Sequence, residues 1–174
     1  QVVQPVVQRT RPLAMLRTLR RICSVGIVTE PLTSGDESLR IRDALQAQVR
    51  EVLGRALCIR HVDAGSCNGC ELEIHAVANP VYNIEGAGVR FVASPRHADL
   101  LLVSGPVSTH MEIALRRTYE AMPDPKLVVA IGDCGCTGGI FGESHASRGR
   151  VSNVLPVDAA VPGCPPSPTR ILQG

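Results

Sequence analysis

The chain contains seven cysteines, and five of them stand in segments that suit metal binding. Cys67 and Cys70 form a Cys-x-x-Cys pair, a spacing that lets one turn of backbone offer two thiolates to a metal centre. Cys134 lies in the glycine-rich segment 132–139, and Cys164 is followed by two prolines. An odd cysteine count, in a chain without an evident export signal, argues against a disulfide framework. We therefore predict that the thiols serve metal or redox chemistry in a reducing compartment.

The residues around these cysteines favour an iron–sulfur cluster. Glycines such as those of segment 132–139 permit close backbone approach and turn N–H groups toward an anion, which is what the sulfides of a cluster present. The segment lacks both G-x-G-x-x-G and G-x-x-x-x-G-K-[ST], so a phosphate loop is weakly supported. A [4Fe–4S] cluster takes four cysteine ligands. The predicted set is Cys67, Cys70, Cys134 and Cys164, with Cys136 as the alternative to Cys134.

Zinc and dithiol chemistry are the competing interpretations of the Cys-x-x-Cys pair. A zinc ribbon needs a second such pair after about 15 to 20 residues, whereas the next cysteine after Cys70 is Cys134. A thioredoxin-like dithiol leaves Cys134 and Cys164 without a role. A zinc-stabilised scaffold protein stays open as an alternative function. The two cysteines with apolar neighbours, Cys23 and Cys58, are predicted to be small core residues.

The hydrophobic pattern predicts strands that alternate with helices. A short strand is predicted at 57–62. Continuous apolar runs, typical of strands covered on both faces, fall at 89–93, 100–104 and 127–131. Apolar residues recur at helical spacing at Ile41, Leu45, Val49 and Val52. A second helix begins at Thr109, which forms a capping-box pattern with Glu112, and ends before Pro123. This order predicts an α/β fold with a parallel sheet and helices on both faces.

The predicted sheet places the cysteines at one edge. In parallel sheets the functional connections lie beyond the carboxyl ends of the strands. Cys67 follows the first strand, Cys134 follows 127–131, and Cys164 follows the apolar segment 154–161. We expect the three loops to converge on one point.

Composition limits the possible partners and the domain number. With two Tyr, two Phe and no Trp, the chain has few aromatic side chains that could stack on nucleic-acid bases. Its net charge of +2 is too small to indicate a general nucleic-acid-binding surface. The longest apolar runs are far shorter than the roughly 18 residues of a spanning helix. Residues 1–35 are predicted to form a basic extension, which either contacts a partner or a membrane surface or forms a solvated tail, and residues 36–174 a single domain.

With these motifs, residues 57–174 resemble the small subunit of membrane-bound nickel–iron hydrogenases of the formate-hydrogenlyase and energy-converting type. That family is homologous to the 20-kDa, B-type subunit of complex I. The resemblance lies in segments 65–73, 93–99, 132–139 and 162–166. It implies a flavodoxin-like fold and one [4Fe–4S] cluster. It also implies that the four cluster ligands are Cys67, Cys70, Cys134 and Cys164.

The spacing of the first two cysteines favours the hydrogenase members of the family over the complex I members. In the complex I subunits of this family the first two ligands look like adjacent cysteines, Cys-Cys. This chain instead has Cys67-x-x-Cys70, as the similar hydrogenase small subunits do. The resemblance thus implies an oxidoreductase subunit that relays electrons to or from a nickel–iron large subunit and performs no bond chemistry by itself. A complex I-like subunit that passes electrons to quinone is the alternative.

The resemblance also implies partners, a location and an acidic residue. The partners are a hydrogenase large subunit or a complex I 49-kDa-like subunit, with other iron–sulfur and membrane subunits. The location is peripheral, on the cytoplasmic side of the inner membrane. Glu73 matches an acidic position of the complex I subunit and is a candidate proton relay. Glu71 is expected at the surface or at a subunit contact, and Arg96 and His97 are candidates to set the charge around the cluster.

Overall fold

In the computed structural model, residues 35–174 are described together with Leu16, Arg20, Cys23 and Ser24. The described residues contain a sheet of five strands that all run parallel, in the order β2-β1-β3-β4-β5. The strands are β1 (Leu57–Asp63), β2 (Val89–Phe91), β3 (Leu100–Ser104), β4 (Leu127–Ile131) and β5 (Ala159–Val161). This is the flavodoxin-like strand order. The predicted parallel α/β fold is confirmed.

Within residues 35–174, five helices connect or flank the strands. They are α1 (Gly35–Leu53), α2 (Gly69–Val77), α3 (Thr109–Glu120), α4 (Gly132–Thr137) and α5 (Pro168–Gln173). Short 3₁₀ turns occupy Pro95–His97 and Val151–Asn153. Two of the helices, α2 and α4, begin close to the carboxyl ends of strands and carry cysteines in their first turns.

Two hydrophobic clusters cover the sheet, one on each face. Alternate residues of the central strands point to opposite faces, so Leu101 and Leu102 of β3 belong to different clusters. Leu115 of α3 is fully buried in the first cluster, while α2 and α5 contribute to the second. Both faces are therefore filled by aliphatic side chains, as the near-absence of aromatic residues requires.

The ends of three elements differ from the sequence prediction. The predicted strand of segment 154–161 is limited to Ala159–Val161, because the Asp158 carboxylate, rather than another residue's backbone, accepts the N–H of Val128 at 2.8 Å. Val52 is 79% exposed, since α1 buries its earlier apolar residues instead. The N-cap of α3 is Ser108, whose Oγ accepts the N–H of Met111.

The predicted basic extension, residues 1–35, lies almost entirely outside the described residues. Of the two cysteines expected in the core, Cys58 is half-buried on β1, whereas Cys23 is exposed, so that prediction for Cys23 was wrong. No helix in the described part of the chain is long and apolar enough to cross a membrane.

Candidate metal centre

The first two cysteines sit on the connection between β1 and α2. Asp63 ends β1, and its Oδ1 accepts the N–H groups of Gly65 and Ser66, each at 2.8 Å. This turn directs the chain into α2, whose first turn contains Cys70. Cys67 is exposed and Cys70 is half-buried. The backbone thus offers one thiol at the surface and one beneath it.

The other two predicted ligands follow β4 and β5. Cys134 is half-buried in α4, which begins directly after the last residue of β4. Cys164 is exposed, three residues after the end of β5. Since β4 and β5 are paired in parallel up to Ile131 and Val161, both loops leave the sheet at the same edge.

Electrostatics show that the four thiols lie close together. Burial first, and then the negative charges of Glu71, Cys134, Cys67 and Cys164, together raise the pKa of Cys70 to about 12. The pKa of Cys134 is raised by burial first and then by Cys164 and Cys67. These contributions place Cys67, Cys134 and Cys164 near enough to Cys70 for their charges to act on it. The structure therefore brings together the loops of all four residues.

Cys136 lies in a different environment from Cys134. Its Sγ faces the carbonyl oxygen of Ala130 at 3.5 Å, and its side chain packs against the first hydrophobic cluster. Its pKa is raised by burial and by Asp133, with no contribution from the other predicted ligands. The geometry favours Cys134 over Cys136 as the member of the set.

Two glycines leave room for the thiols. A Cβ added at Gly132 would lie 2.5 Å from the Sγ of Cys70, and one at Gly139 would lie 2.8 Å from the Sγ of Cys134. Side chains at these positions would push the sulfur atoms aside. The soft donor set and this close backbone approach both fit a thiolate-bound cluster.

The described residues contain no group of three or more His, Cys, Asp or Glu side chains placed to hold a single metal ion. In a four-iron cluster each cysteine binds a different iron, so the four sulfur atoms surround the cluster rather than one atom.

Glu71, expected at the surface or at a subunit contact, is instead buried within the domain beside Cys70, with only 8% of its surface exposed. One carboxylate oxygen accepts the hydroxyl of Ser66 at 2.5 Å, and the other accepts the hydroxyl of Ser104. Hydrogen bonds to both oxygens compensate for burial of the carboxylate. The signal was present in the sequence, since Glu71, Ile74 and Val77 share one helical face and are all buried.

The hydrogen bonds continue from Glu71 to His61. Ser104 has one hydroxyl proton, which it donates to Glu71, so its oxygen accepts from the Nε2–H of His61 at 2.9 Å. Burial lowers the pKa of His61, although Glu71 and Asp63 oppose this shift. His61 is therefore neutral near pH 7, and both it and Glu71 line a cavity of about 490 Å³.

The remaining predicted residues lie apart from this network. Glu73 is half-buried on α2, off the face that carries Glu71. Arg96 and His97 are exposed on the turn that precedes β3, and so lie at the amino edge of the sheet. The cysteine loops leave the sheet at the opposite edge, and a role of these two residues in setting the charge around a cluster stays a prediction.

Comparison with known proteins agrees with this geometry. The chain is 45% identical over 143 residues to a protein of Pyrococcus furiosus named "Probable membrane-bound hydrogenase subunit mbhJ", covering 82% of this chain and 85% of that one. It is 43% identical over 122 residues to the B subunit of the NADH-quinone oxidoreductase of Desulfovibrio desulfuricans, covering 70% and 65%. A chain in the structure of the membrane-bound sulfane sulfur reductase, an archaeal respiratory membrane complex, matches with a TM-score of 0.61 and 29% identity, covering 75% and 70%.

Fold, cysteine placement and relatives together define a class, the electron-transfer subunits of multi-subunit oxidoreductase complexes. Within that class, the chain belongs to the family described as NADH ubiquinone oxidoreductase, 20 Kd subunit, whose model matches residues 67–174. The resemblance drawn from the sequence motifs is confirmed.

The raised pKa of Cys70 predicts slow alkylation. Thiolates rather than thiols react with iodoacetamide. In the metal-free chain at pH 8 we expect Cys67 and Cys164, which are exposed, to be modified before Cys70, whose pKa is about 12. Its rate should rise as the pH approaches 12. Mass spectrometry of quenched samples measures the order, and equal rates for Cys70 and Cys67 at pH 8 would contradict the described environment.

The close approach of Gly132 to Cys70 predicts a site-specific cost. Gly132→Ala and Gly142→Ala both place a side chain on left-handed backbone, at φ 80° and 54°. An added Cβ at Gly142 meets no atom of the described residues within 4 Å. We expect Gly132→Ala to lower the free energy of unfolding by about 1–3 kcal/mol more than Gly142→Ala does, because only the first change overpacks its surroundings. Urea denaturation measures both, and equal losses would show that the contact is unimportant.

Proposed function

We propose that this chain binds one [4Fe–4S] cluster through Cys67, Cys70, Cys134 and Cys164. In this role it relays single electrons to or from the nickel–iron large subunit of a membrane-associated hydrogenase. The observation that carries the proposal is the meeting of the four thiols, from three loops, at the carboxyl edge of the sheet. When bound, the cluster supplies a centre that gains and loses one electron.

The chain's own residues would hold and expose the cluster. Cys70 and Cys134 are half-buried and would bind its inner side, whereas Cys67 and Cys164 are exposed and would bind its outer side. Gly132 and Gly139 keep the backbone close to the inner sulfur atoms. A cluster held in this way lies at the surface of the isolated domain, where a partner subunit can approach it.

The hydrogenase assignment rests on the Cys67-x-x-Cys70 spacing and on the relative from Pyrococcus furiosus. The partners would then be a nickel–iron large subunit together with other iron–sulfur and membrane subunits. The position would be peripheral on the cytoplasmic side of the membrane, as expected for a subunit similar to those of named membrane-bound complexes.

A complex I-like function is the second candidate. It is favoured by the 43% identity to the B subunit of an NADH-quinone oxidoreductase. Electrons would then pass from the cluster to quinone, and the partner would be a 49-kDa-like subunit. The proton-relay role of Glu73 stays a prediction under either candidate.

Replacement of one ligand tests the cluster. Anaerobically purified wild-type chain should be brown and contain about four irons. Cys164→Ser should lose iron or alter the paramagnetic signal of the reduced cluster, because one thiolate is removed. Cys58→Ser is the matched control, since Cys58 lies half-buried on β1 away from the set.

Iron analysis and electron paramagnetic resonance provide the measurement. Equal effects of the two substitutions would refute the ligand set, and colourless protein holding one zinc would instead support the scaffold alternative.

Turnover by the intact complex distinguishes the two electron-transfer candidates. Purified through a tag on this chain, the complex should take up or evolve hydrogen with an artificial one-electron carrier. We expect no turnover that depends on quinone. Hydrogen-independent, quinone-dependent oxidation of a reduced carrier would overturn the hydrogenase assignment in favour of the complex I-like function.

A further inference from the structure

A reciprocal pair of hydrogen bonds joins the two cysteine loops that follow β4 and β5. The N–H of Asp133 donates to the carbonyl oxygen of Gly163 at 2.8 Å. The N–H of Gly163 donates in return to the Asp133 carboxylate, Oδ1, also at 2.8 Å. Asp133 directly precedes Cys134, and Gly163 directly precedes Cys164.

This pair continues the sheet beyond the point where strand pairing ends. The β4–β5 register finishes at Ile131 and Val161. Past that point the carboxylate, rather than a backbone carbonyl, accepts the next N–H. The side chain of Asp133 therefore fixes the distance between two segments that are 30 residues apart in sequence.

The loop that follows β5 and carries Cys164 has little conformational freedom. Gly163 has φ 146°, and a Cβ added there would lie 2.6 Å from the Cα of Pro166. Pro166 is itself buried. A change at Asp133 is thus transmitted to a rigid segment that carries Cys164.

The carboxylate also places negative charge beside the thiols. Asp133 directly precedes Cys134, and its carboxylate Oδ1 lies 2.8 Å from the backbone nitrogen of Gly163, the residue before Cys164. A nearby negative charge stabilises the oxidised, less negative form of a cluster, and cluster potentials respond to charge and hydrogen bonding.

We propose that Asp133 is a positioning residue that fixes the separation of Cys134 and Cys164, and that its charge lowers the reduction potential of the bound cluster. This inference rests on the proposed function. The two effects are separable, because an asparagine keeps an oxygen that can accept the N–H of Gly163 but carries no charge, whereas an alanine lacks both.

A second aspartate supplies a matched control on the same two strands. The N–H of Asp158 donates to the carbonyl oxygen of Val128 at 2.9 Å, and the Asp158 carboxylate accepts the N–H of Val128 at 2.8 Å. Asp158 precedes β5, so this pair lies at the amino end, away from the cysteines.

The test uses the full chain, reconstituted anaerobically with iron and sulfide. Iron content and the midpoint potential, followed by electron paramagnetic resonance, are compared for wild type, Asp133→Asn, Asp133→Ala and Asp158→Asn. We expect Asp133→Asn to keep its iron and shift the potential to more positive values. Asp133→Ala should hold less iron or show an altered signal, and Asp158→Asn should match wild type.

A different result would contradict each part of the inference. An unshifted potential in Asp133→Asn, or an equal shift in Asp158→Asn, would overturn the role of the charge. Full iron and an unchanged signal in Asp133→Ala would overturn the positioning role. Wild-type chain without a cluster would overturn the proposed function itself, and with it this inference, whereas the other outcomes leave the proposed function intact.

Discussion

Parallel strand pairing is the constraint on which the site depends. Because β1, β4 and β5 run in the same direction within one sheet, the segments that follow them leave at one edge. Loops far apart in sequence, such as those of Cys67 and Cys164, thereby leave the sheet at the same edge. The aliphatic clusters on both faces hold the sheet in this arrangement. The sheet therefore determines where the cysteine loops lie.

Burial and the negative charge of neighbouring thiols make Cys70 and Cys134 poor anions in the absence of a cation. The pKa of Cys70 at about 12 expresses both effects. A coordinated thiol is deprotonated by the charge of the metal, so metal binding at such a site releases protons. Glu71, buried and hydrogen-bonded to two serines, adds to the negative field at Cys70. Under the proposed function, the positive charge of the iron core would offset the cost of ionising these thiols.

The sequence predicted the central strands and the cysteine edge, and it missed interactions that depend on tertiary contacts. Leu100–Ser104 and Leu127–Ile131 have the predicted bounds, since continuous apolar runs between polar turns leave little ambiguity. The burial of Glu71 was readable from its helical spacing. The bond between Asp133 and Gly163 was not, because no local pattern links residues 30 positions apart.

The most direct test of the central claim is Mössbauer spectroscopy of the anaerobically purified, iron-57-labelled complex, with a variant that lacks all four cysteines as reference. If Cys67, Cys70, Cys134 and Cys164 hold the cluster, subtracting the variant spectrum should leave the signal of about four irons per chain in a single [4Fe–4S] cluster. An identical spectrum from a variant that still assembles into the complex would contradict the claim that this chain carries the cluster.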